Sequence, residues 1–283
     1  MKKPDTIVVG SGISGMTMAL FLGLNGYKVI LLEKALRIGG SVARFHRGGI
    51  PFDVGFHFTG GLQEGGTLHN MLTALGLMDG INPIFLFEDG AFRFVFEDEG
   101  KSYTIPYGFD KLKTAIKGYF PGEAEAVERH FSAIRNICDK TPAMNLNTIS
   151  LMPPNVGEDY ISLDDALKRL TSNPLLRGLL SGYAMCYGVK PSEISFASHA
   201  RMCMGFYESL AYIKDRGDTL VRVFKKRFED IDIEIRCGKH IVELADIKDN
   251  RVNRFVLNTG EELEAENCVF TIHPHEILKI LPL

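Results

Sequence analysis

Hydrophobic positions in the first third of the chain follow two different periods. Thr6-Ile7-Val8-Val9 is a short apolar run, largely β-branched and ending in glycine, the pattern of a strand buried on both faces of a parallel sheet. Ile13, Met16, Leu20 and Leu24 then recur at spacings of three and four, which predicts a helix with these residues inward and a stop at Asn25-Gly26. Lys28-Val29-Ile30-Leu31-Leu32 reads as a second buried strand, so the chain opens as a βαβ unit. Between 36 and 66, glycine stands at 39, 40, 48, 49, 55, 60, 61, 65 and 66, interleaved with Phe45, Phe52, Phe56 and Phe58. That is more apolar surface than a solvated linker tolerates, and it predicts backbone packed closely against something flat or phosphorylated.

Further along, a short helix is expected over 68–75. Phe92, Phe94 and Phe96 then alternate with Ala91, Arg93 and Val95 between the turns Asp89-Gly90 and Glu99-Gly100, as in an antiparallel meander. Helices follow: one opened by Pro121 with Val127, Phe131, Ile134 and Cys138 on one face, one capped by Ser162 with Asp165, one begun by Asn173-Pro174, and one over 195–207. Met185, Met202, Met204, Phe206, Tyr207 and Tyr212 enrich this stretch in adaptable apolar side chains, which fits core packing first and a lipophilic pocket second. Asp218 is read as the cap of a helix with Leu220, Val223, Phe224 and Phe228 inward. Strands are expected over 231–235, over 241–247 and 252–257 around Asp249-Asn250, and over 268–272. The α/β pattern at both ends predicts an α/β protein. Its Rossmann-like dinucleotide-binding domain, a parallel sheet plus a β-meander, comprises residues 1–80 and 216–283, with an inserted α+β substrate domain over 81–215.

Composition narrows the function. A chain of 283 residues, 45% hydrophobic and 24% charged, can bury a core without disulfides or metals, and a formal net charge of -3 gives no broad electrostatic reason to expect nucleic acid. Five scattered cysteines without a C-x-x-C argue against a disulfide framework or a zinc site and fit a reducing cytoplasm. The uncharged stretch 6–27 behind Met1-Lys2-Lys3 mimics a signal peptide or membrane span, but five glycines within it and Asp5 before it argue against both. Neither His273-Pro274-His275 nor the series His46, His57, His69 has metal-ligand spacing, so no metal is expected, and there is no G-x-S-x-G.

Gly10-Ser11-Gly12-Ile13-Ser14-Gly15 matches G-x-G-x-x-G between strand and helix, the context that gives the motif its meaning. Gly10 permits the turn, Gly12 lets backbone approach a pyrophosphate, and Gly15 lets the helix sit close to the strand. Ile13 and Ser14 stand at the helix start, where free amides and the helix dipole favour phosphate. Glu33, followed by Lys34, ends the second strand, where a carboxylate accepts from the two ribose hydroxyls of an adenosine and repels a 2'-phosphate. These residues alone do not separate NAD from FAD.

The continuation Glu33-Lys34-Ala35-Leu36-Arg37-Ile38-Gly39-Gly40 resembles the E-x5-G-G extension of the flavoprotein family that contains amine oxidases, phytoene desaturases and carotenoid isomerases. Phe52-Asp53-Val54-Gly55-Phe56-His57, Ile105-Pro106-Tyr107-Gly108, Tyr187-Gly188-Val189-Lys190-Pro191, the run Tyr212 to Asp218 and Asn267 to Pro274 resemble its carotenoid isomerase and retinol saturase branch. The resemblance implies FAD, with Gly39, Gly40 and Ser41 on the stretch toward the flavin, Gly55 and His57 near the isoalloxazine, and Ile241 offering backbone to the adenine. It implies an FAD-dependent oxidoreductase acting on a lipophilic polyene or related apolar substrate, cytoplasmic, with peripheral membrane contact left open. Chemistry would come mainly from the cofactor, so no catalytic side chain is assigned. Ser41 departs from the arginine many relatives carry. Relatives also continue well beyond the point matching Leu283, so a second chain completing the flavin site is an expectation. The alternatives are a truncated or subunit-like nucleotide-binding protein without catalysis of its own, and an amine oxidase-like or NAD-using oxidoreductase.

Overall fold

A computed structural model describes residues 3–142, 144, 157–249 and 251–281. In chain order the elements are β1 (Thr6–Val9), α1 (Ile13–Leu24), β2 (Val29–Glu33), β3 (Arg44–Arg47), β4 (Ile50–Asp53), α2 (Thr67–Ala74), β5 (Pro83–Phe85), β6 (Phe92–Phe96) and β7 (Lys101–Ile105). Then come α3 (Phe109–Tyr119), α4 (Ala124–Asp139), α5 (Leu163–Leu170), α6 (Pro174–Ser181), α7 (Phe196–Glu208), β8 (Ala211–Ile213) and α8 (Arg216–Asp230). The chain closes with β9 (Glu234–Cys237), β10 (Ile241–Lys248), β11 (Arg251–Leu257), β12 (Glu262–Leu263), β13 (Asn267–Phe270) and α9 (Pro274–Leu278). They fall into two compact units, one of residues 1–57, 72–82 and 213–283, the other of residues 58–71 and 83–212.

In the first unit a four-stranded sheet runs in the order β13-β1-β2-β9, every pair parallel. Successive side chains alternate across it. Ile7, Val9, Ile30 and Leu32 pack against Ile241, Leu244, Phe255 and Leu257 of the antiparallel β10-β11-β12 sheet. The opposite face, with Val8 and Leu31 fully buried, carries α1, against which α8 packs. This is a dinucleotide-binding α/β fold.

Several expected boundaries move. α1 buries Met16 and Leu20 as expected, together with the small residues Gly15 and Ala19, whereas Ile13 and Leu24 at its two ends are exposed. The strand expected over 231–235 begins at Glu234, because the chain turns through a left-handed Asp232 after α8. α8 begins at Arg216 behind Asp215, so Asp218 lies in its first turn and is not its cap. The glycine-rich stretch contains a hairpin the periodicity did not show: β3 and β4 pair around Gly48-Gly49, both left-handed, as a two-residue primed turn requires. Asn250 of the β10–β11 turn lies outside the described residues.

The second unit is mainly helical. Its core joins α3, α4, α5, α6 and α7, and Phe92, Phe94 and Phe96 of the β6–β7 hairpin pack against it. The expected helix starts are capped: the Ser162 hydroxyl accepts from the Asp165 amide at 3.0 Å and Asn173 from the amides of Leu175 and Leu176; Ser195, expected as the first helical residue, is instead a cap that accepts from the Ser198 amide. Among the described residues no helix is long and apolar enough to cross a membrane.

Candidate functional site

At the carboxyl end of β1 the chain reverses through Gly10, whose φ of 97° is open to glycine and strained for other residues. The turn is held by the Gly10 amide on Leu32 O at 2.8 Å. A Cβ on Gly15 would fall 1.8 Å from Gly10 O, so α1 lies flush on the turn only because Gly15 has none. Gly12 is different. Its backbone (φ -62°, ψ 176°) suits any residue, and a Cβ there would meet nothing within 4 Å. Packing within the protein therefore does not require glycine at 12; the space it leaves open lies beside the exposed Ile13 and Ser14 at the start of α1, where unpaired amides favour an anion.

Glu33, at the end of β2, turns back onto this loop. Its Oε2 accepts from the Ser11 amide at 2.9 Å and from the Ser11 hydroxyl, and its Oε1 accepts from the Ala35 amide at 2.8 Å. Ser11 is wholly buried and Glu33 half-buried. A carboxylate offers about four acceptor directions, so one on Oε1 stays open. Beside Glu33 a cavity of about 450 Å³ is lined by Gly10, Glu33, Lys34, His240, Ile241 and Val242, together with Glu276 and Lys279. It stands at the carboxyl ends of β1 and β2, where open α/β sheets receive ligands.

The second glycine pair joins the first. The Gly39 amide donates to Ser11 O at 2.9 Å, and a Cβ on Gly40 would fall 2.9 Å from Gly12 Cα. Gly39 and Gly40 are both left-handed, with φ of 123° and 52°. Ser41 is exposed, and Gly55 approaches it, a Cβ on Gly55 falling 3.6 Å from Ser41 O. A continuous run thus leads from the cavity at Glu33 and Ile241 through Gly12 and Gly40 to Ser41 and Gly55. These open glycine surfaces and the inward carboxylate fit an extended dinucleotide. His57 lies at the far end with an exposed side chain, its Nδ1 3.4 Å from Asp53 Oδ2. Tyr212 lies in β8, in the other unit.

Sequence reasoning missed the charged groups around Asp53. The Asp53 carboxylate, 14% exposed, has Arg44 Nε 2.8 Å from Oδ1 and Arg216 Nε 3.8 Å from Oδ2. Arg216 Nη1 donates to His57 O at 2.7 Å, and Arg44 Nη1 stands 3.5 Å from Asp218 Oδ2. Asp215 and Arg216 are consecutive left-handed residues, with φ of 59° and 51°. That backbone costs an L-residue about 1–2 kcal/mol. Gly217 follows flush on the Val42 carbonyl, where a Cβ would fall 1.5 Å from the oxygen. The runs Phe52 to His57 and Tyr212 to Asp218 both stood out in the sequence, but nothing local showed that Asp53 of the first meets Arg216 of the second.

The helical unit holds a separate cavity of about 540 Å³. Leu68, Met71, Met144, Met202, Met204 and Phe206 give it an apolar wall, and Thr59, Asp139, Arg201 and Glu208 supply polar groups. Arg201 is committed to Asp159, at 2.6 and 3.1 Å.

Residues 8–75 match the NAD(P)-binding Rossmann-like domain family. The chain is 27% identical over 280 residues to the all-trans-retinol 13,14-reductase of Danio rerio, covering 91% of this chain and 43% of that protein. It is 36% identical over 212 residues to an inactive all-trans-retinol 13,14-reductase of the same organism, covering 68% and 34%. It is 29% identical over 145 residues to prolycopene isomerase 1 of an Oncidium hybrid cultivar, covering 51% and 24%. The chain thus spans less than half the length of these relatives. Among solved structures, the PF1083 protein of Pyrococcus furiosus superposes with a TM-score of 0.68 at 18% identity, covering 98% of this chain and 61% of that one. Putrescine oxidase bound to putrescine superposes at 0.64 and 15% identity, covering 99% and 60%.

Proposed function

We propose that this chain, a homologue of the all-trans-retinol 13,14-reductases over 91% of its length, forms the FAD-holding part of an oxidoreductase acting on a lipophilic polyene or related apolar substrate. One observation carries the reading: the Glu33 carboxylate is turned onto the Gly10–Gly12 loop while Gly40 lies against Gly12, so a nucleotide grip continues into a second glycine surface. An NAD site needs only the first of these. Bound FAD would supply hydride transfer to or from the substrate. In this chain Glu33 and Lys34 hold the ribose end, with Ile241 beside the adenine. Gly10, Gly12, Ile13, Ser14 and Gly15 bind the pyrophosphate. Gly39, Gly40 and Ser41 support the stretch beyond it, and Gly55 and His57 border the flavin. Each polar contact orients the cofactor; none is assigned a proton transfer. The 540 Å³ apolar cavity of the helical unit suits a lipophilic ligand. The proposal extends to contact with the surface of a membrane and to a second chain that completes the flavin site.

A second reading has its own support: a relative at 36% identity carries the name of an inactive reductase, which favours a nucleotide-binding protein without turnover. One experiment separates them. The purified chain is incubated with FAD, freed of unbound cofactor and scanned. A flavin absorption band that a reductant bleaches, with slow reoxidation by a polyene acceptor, supports catalysis. A stable flavin complex that no polyene reoxidises supports the second reading, and a chain that stays colourless ends both as FAD proposals.

A further inference from the structure

Asp215 and Arg216 hold a conformation that glycine takes freely, one residue before a glycine that cannot be replaced without striking Val42 O. Strain kept at consecutive positions needs a compensating contact. The Arg216 guanidinium supplies it by donating to the backbone carbonyl of His57 at 2.7 Å while lying beside the Asp53 carboxylate, which Arg44 flanks on its other oxygen. Arg44 and Asp53 are 16% and 14% exposed, so water screens this pair weakly and loss of one cation leaves a half-compensated buried carboxylate. The network ties β3, the end of β4 and the segment through His57 to the first turn of α8.

We propose that Arg216 is a positioning residue for the flavin end of the site. It fixes the Asp53–His57 segment in place, and its charge offsets that of Asp53. The proposal rests on the FAD reading for where the ring lies, while the clamp itself is a property of the protein alone. With Arg44 and Arg216 set against Asp53 and Asp218, the four charges cancel. Deleting Arg216 leaves one negative charge in excess, which disfavours the anionic reduced flavin.

Two variants test it. Arg216→Gly removes the side chain and relieves the backbone; Arg216→Lys keeps the charge and loses the planar fork. Without cofactor, Arg216→Gly should remain folded, the relieved backbone offsetting part of the lost ion pair, and its amides at 54–57 should exchange with deuterium at least tenfold faster. With FAD it should bind at least tenfold more weakly, by quenching of flavin fluorescence, and hold the flavin at a more negative midpoint potential. Arg216→Lys should restore most of the potential and less of the exchange protection. Exchange at 54–57 and FAD affinity both within twofold of the parent in Arg216→Gly would overturn the proposal, as would an unchanged potential. Should the parent take up no FAD, the cofactor reading fails by itself, and the exchange rates alone then decide whether Arg216 is the clamp.

Discussion

Ser11 places both of its donors, the backbone amide and the hydroxyl, on the same carboxylate oxygen of Glu33. The loop that reverses the chain after β1 and the acid that ends β2 are therefore one unit, 22 residues apart in sequence. With the Ala35 amide on Oε1, one acceptor direction of the carboxylate remains open, and in the proposed site it would take a ribose hydroxyl. Glu33→Ala should weaken FAD by tenfold to a hundredfold, about 1–3 kcal/mol, because it removes the ribose acceptors. Ser11→Ala frees an acceptor direction and should change affinity by less than threefold. Equal losses in the two variants, measured by equilibrium dialysis, would show that Glu33 acts by holding the loop rather than by meeting the sugar.

Gly12 and Gly15 belong to one motif and should fail in different ways. A Cβ at 12 meets nothing, so Gly12→Ala should melt within a degree or two of the parent or slightly above it, since alanine narrows the unfolded ensemble. The same methyl occupies the space a pyrophosphate needs, so dinucleotide binding should drop at least tenfold. Gly15→Ala puts a methyl 1.8 Å from Gly10 O and should lower the melting temperature or prevent folding. Normal FAD binding by a folded Gly12→Ala variant would place the phosphates elsewhere.

The difference between those two glycines marks what could be read in the chain beforehand. The βαβ opening, the loop and Glu33 were legible because strand, turn, helix and acid follow within 28 residues, from Thr6 to Glu33, and each has a local signature. The helix starts at Ser162 and Asn173 were legible for the same reason. The inward face of α1 was legible in Met16 and Leu20 but not in Gly15 and Ala19, which are too small to register as hydrophobic anchors, and it does not extend to Ile13 and Leu24 at the helix ends. The Arg44–Asp53–Arg216 network was invisible because tertiary folding brings together residues up to 172 positions apart.

The apolar cavity of the helical unit should be separable from the dinucleotide site. Met202 lines it and is 45% exposed, so Met202→Glu adds a charge without burying one completely. The variant should keep the parent's FAD affinity and bind a fluorescent polyene alcohol at least fivefold more weakly. Undiminished polyene binding would remove the cavity from the substrate path.

Acid should destabilise the helical unit through two histidines. Burial pushes His130 down to about 3, with the nearby His199 adding to the shift, and pushes His199 down to about 4. Neither ring nitrogen of His130 has a hydrogen-bond partner among the described residues, while His199 Nδ1 contacts the Tyr187 hydroxyl and a hydrogen bond to the Leu180 backbone offsets part of its shift. An unfolded histidine takes up its proton near pH 6.5 and the folded ones do so only at about 4 and 3. Their neutral forms therefore give full stability above pH 6.5. As pH falls, the unfolded chain binds more protons, and each histidine removes about 1.4 kcal/mol per pH unit until its folded-state value is reached. Urea unfolding at pH 7, 5.5 and 4.5 should show this decline, and His130→Leu should roughly halve the part due to the pair. The leucine replaces an unpartnered polar ring, so stability at pH 7 should hold or rise. If His130→Leu follows the parent's pH dependence point for point, His130 is already protonated or solvated in the folded protein and the acid loss arises elsewhere.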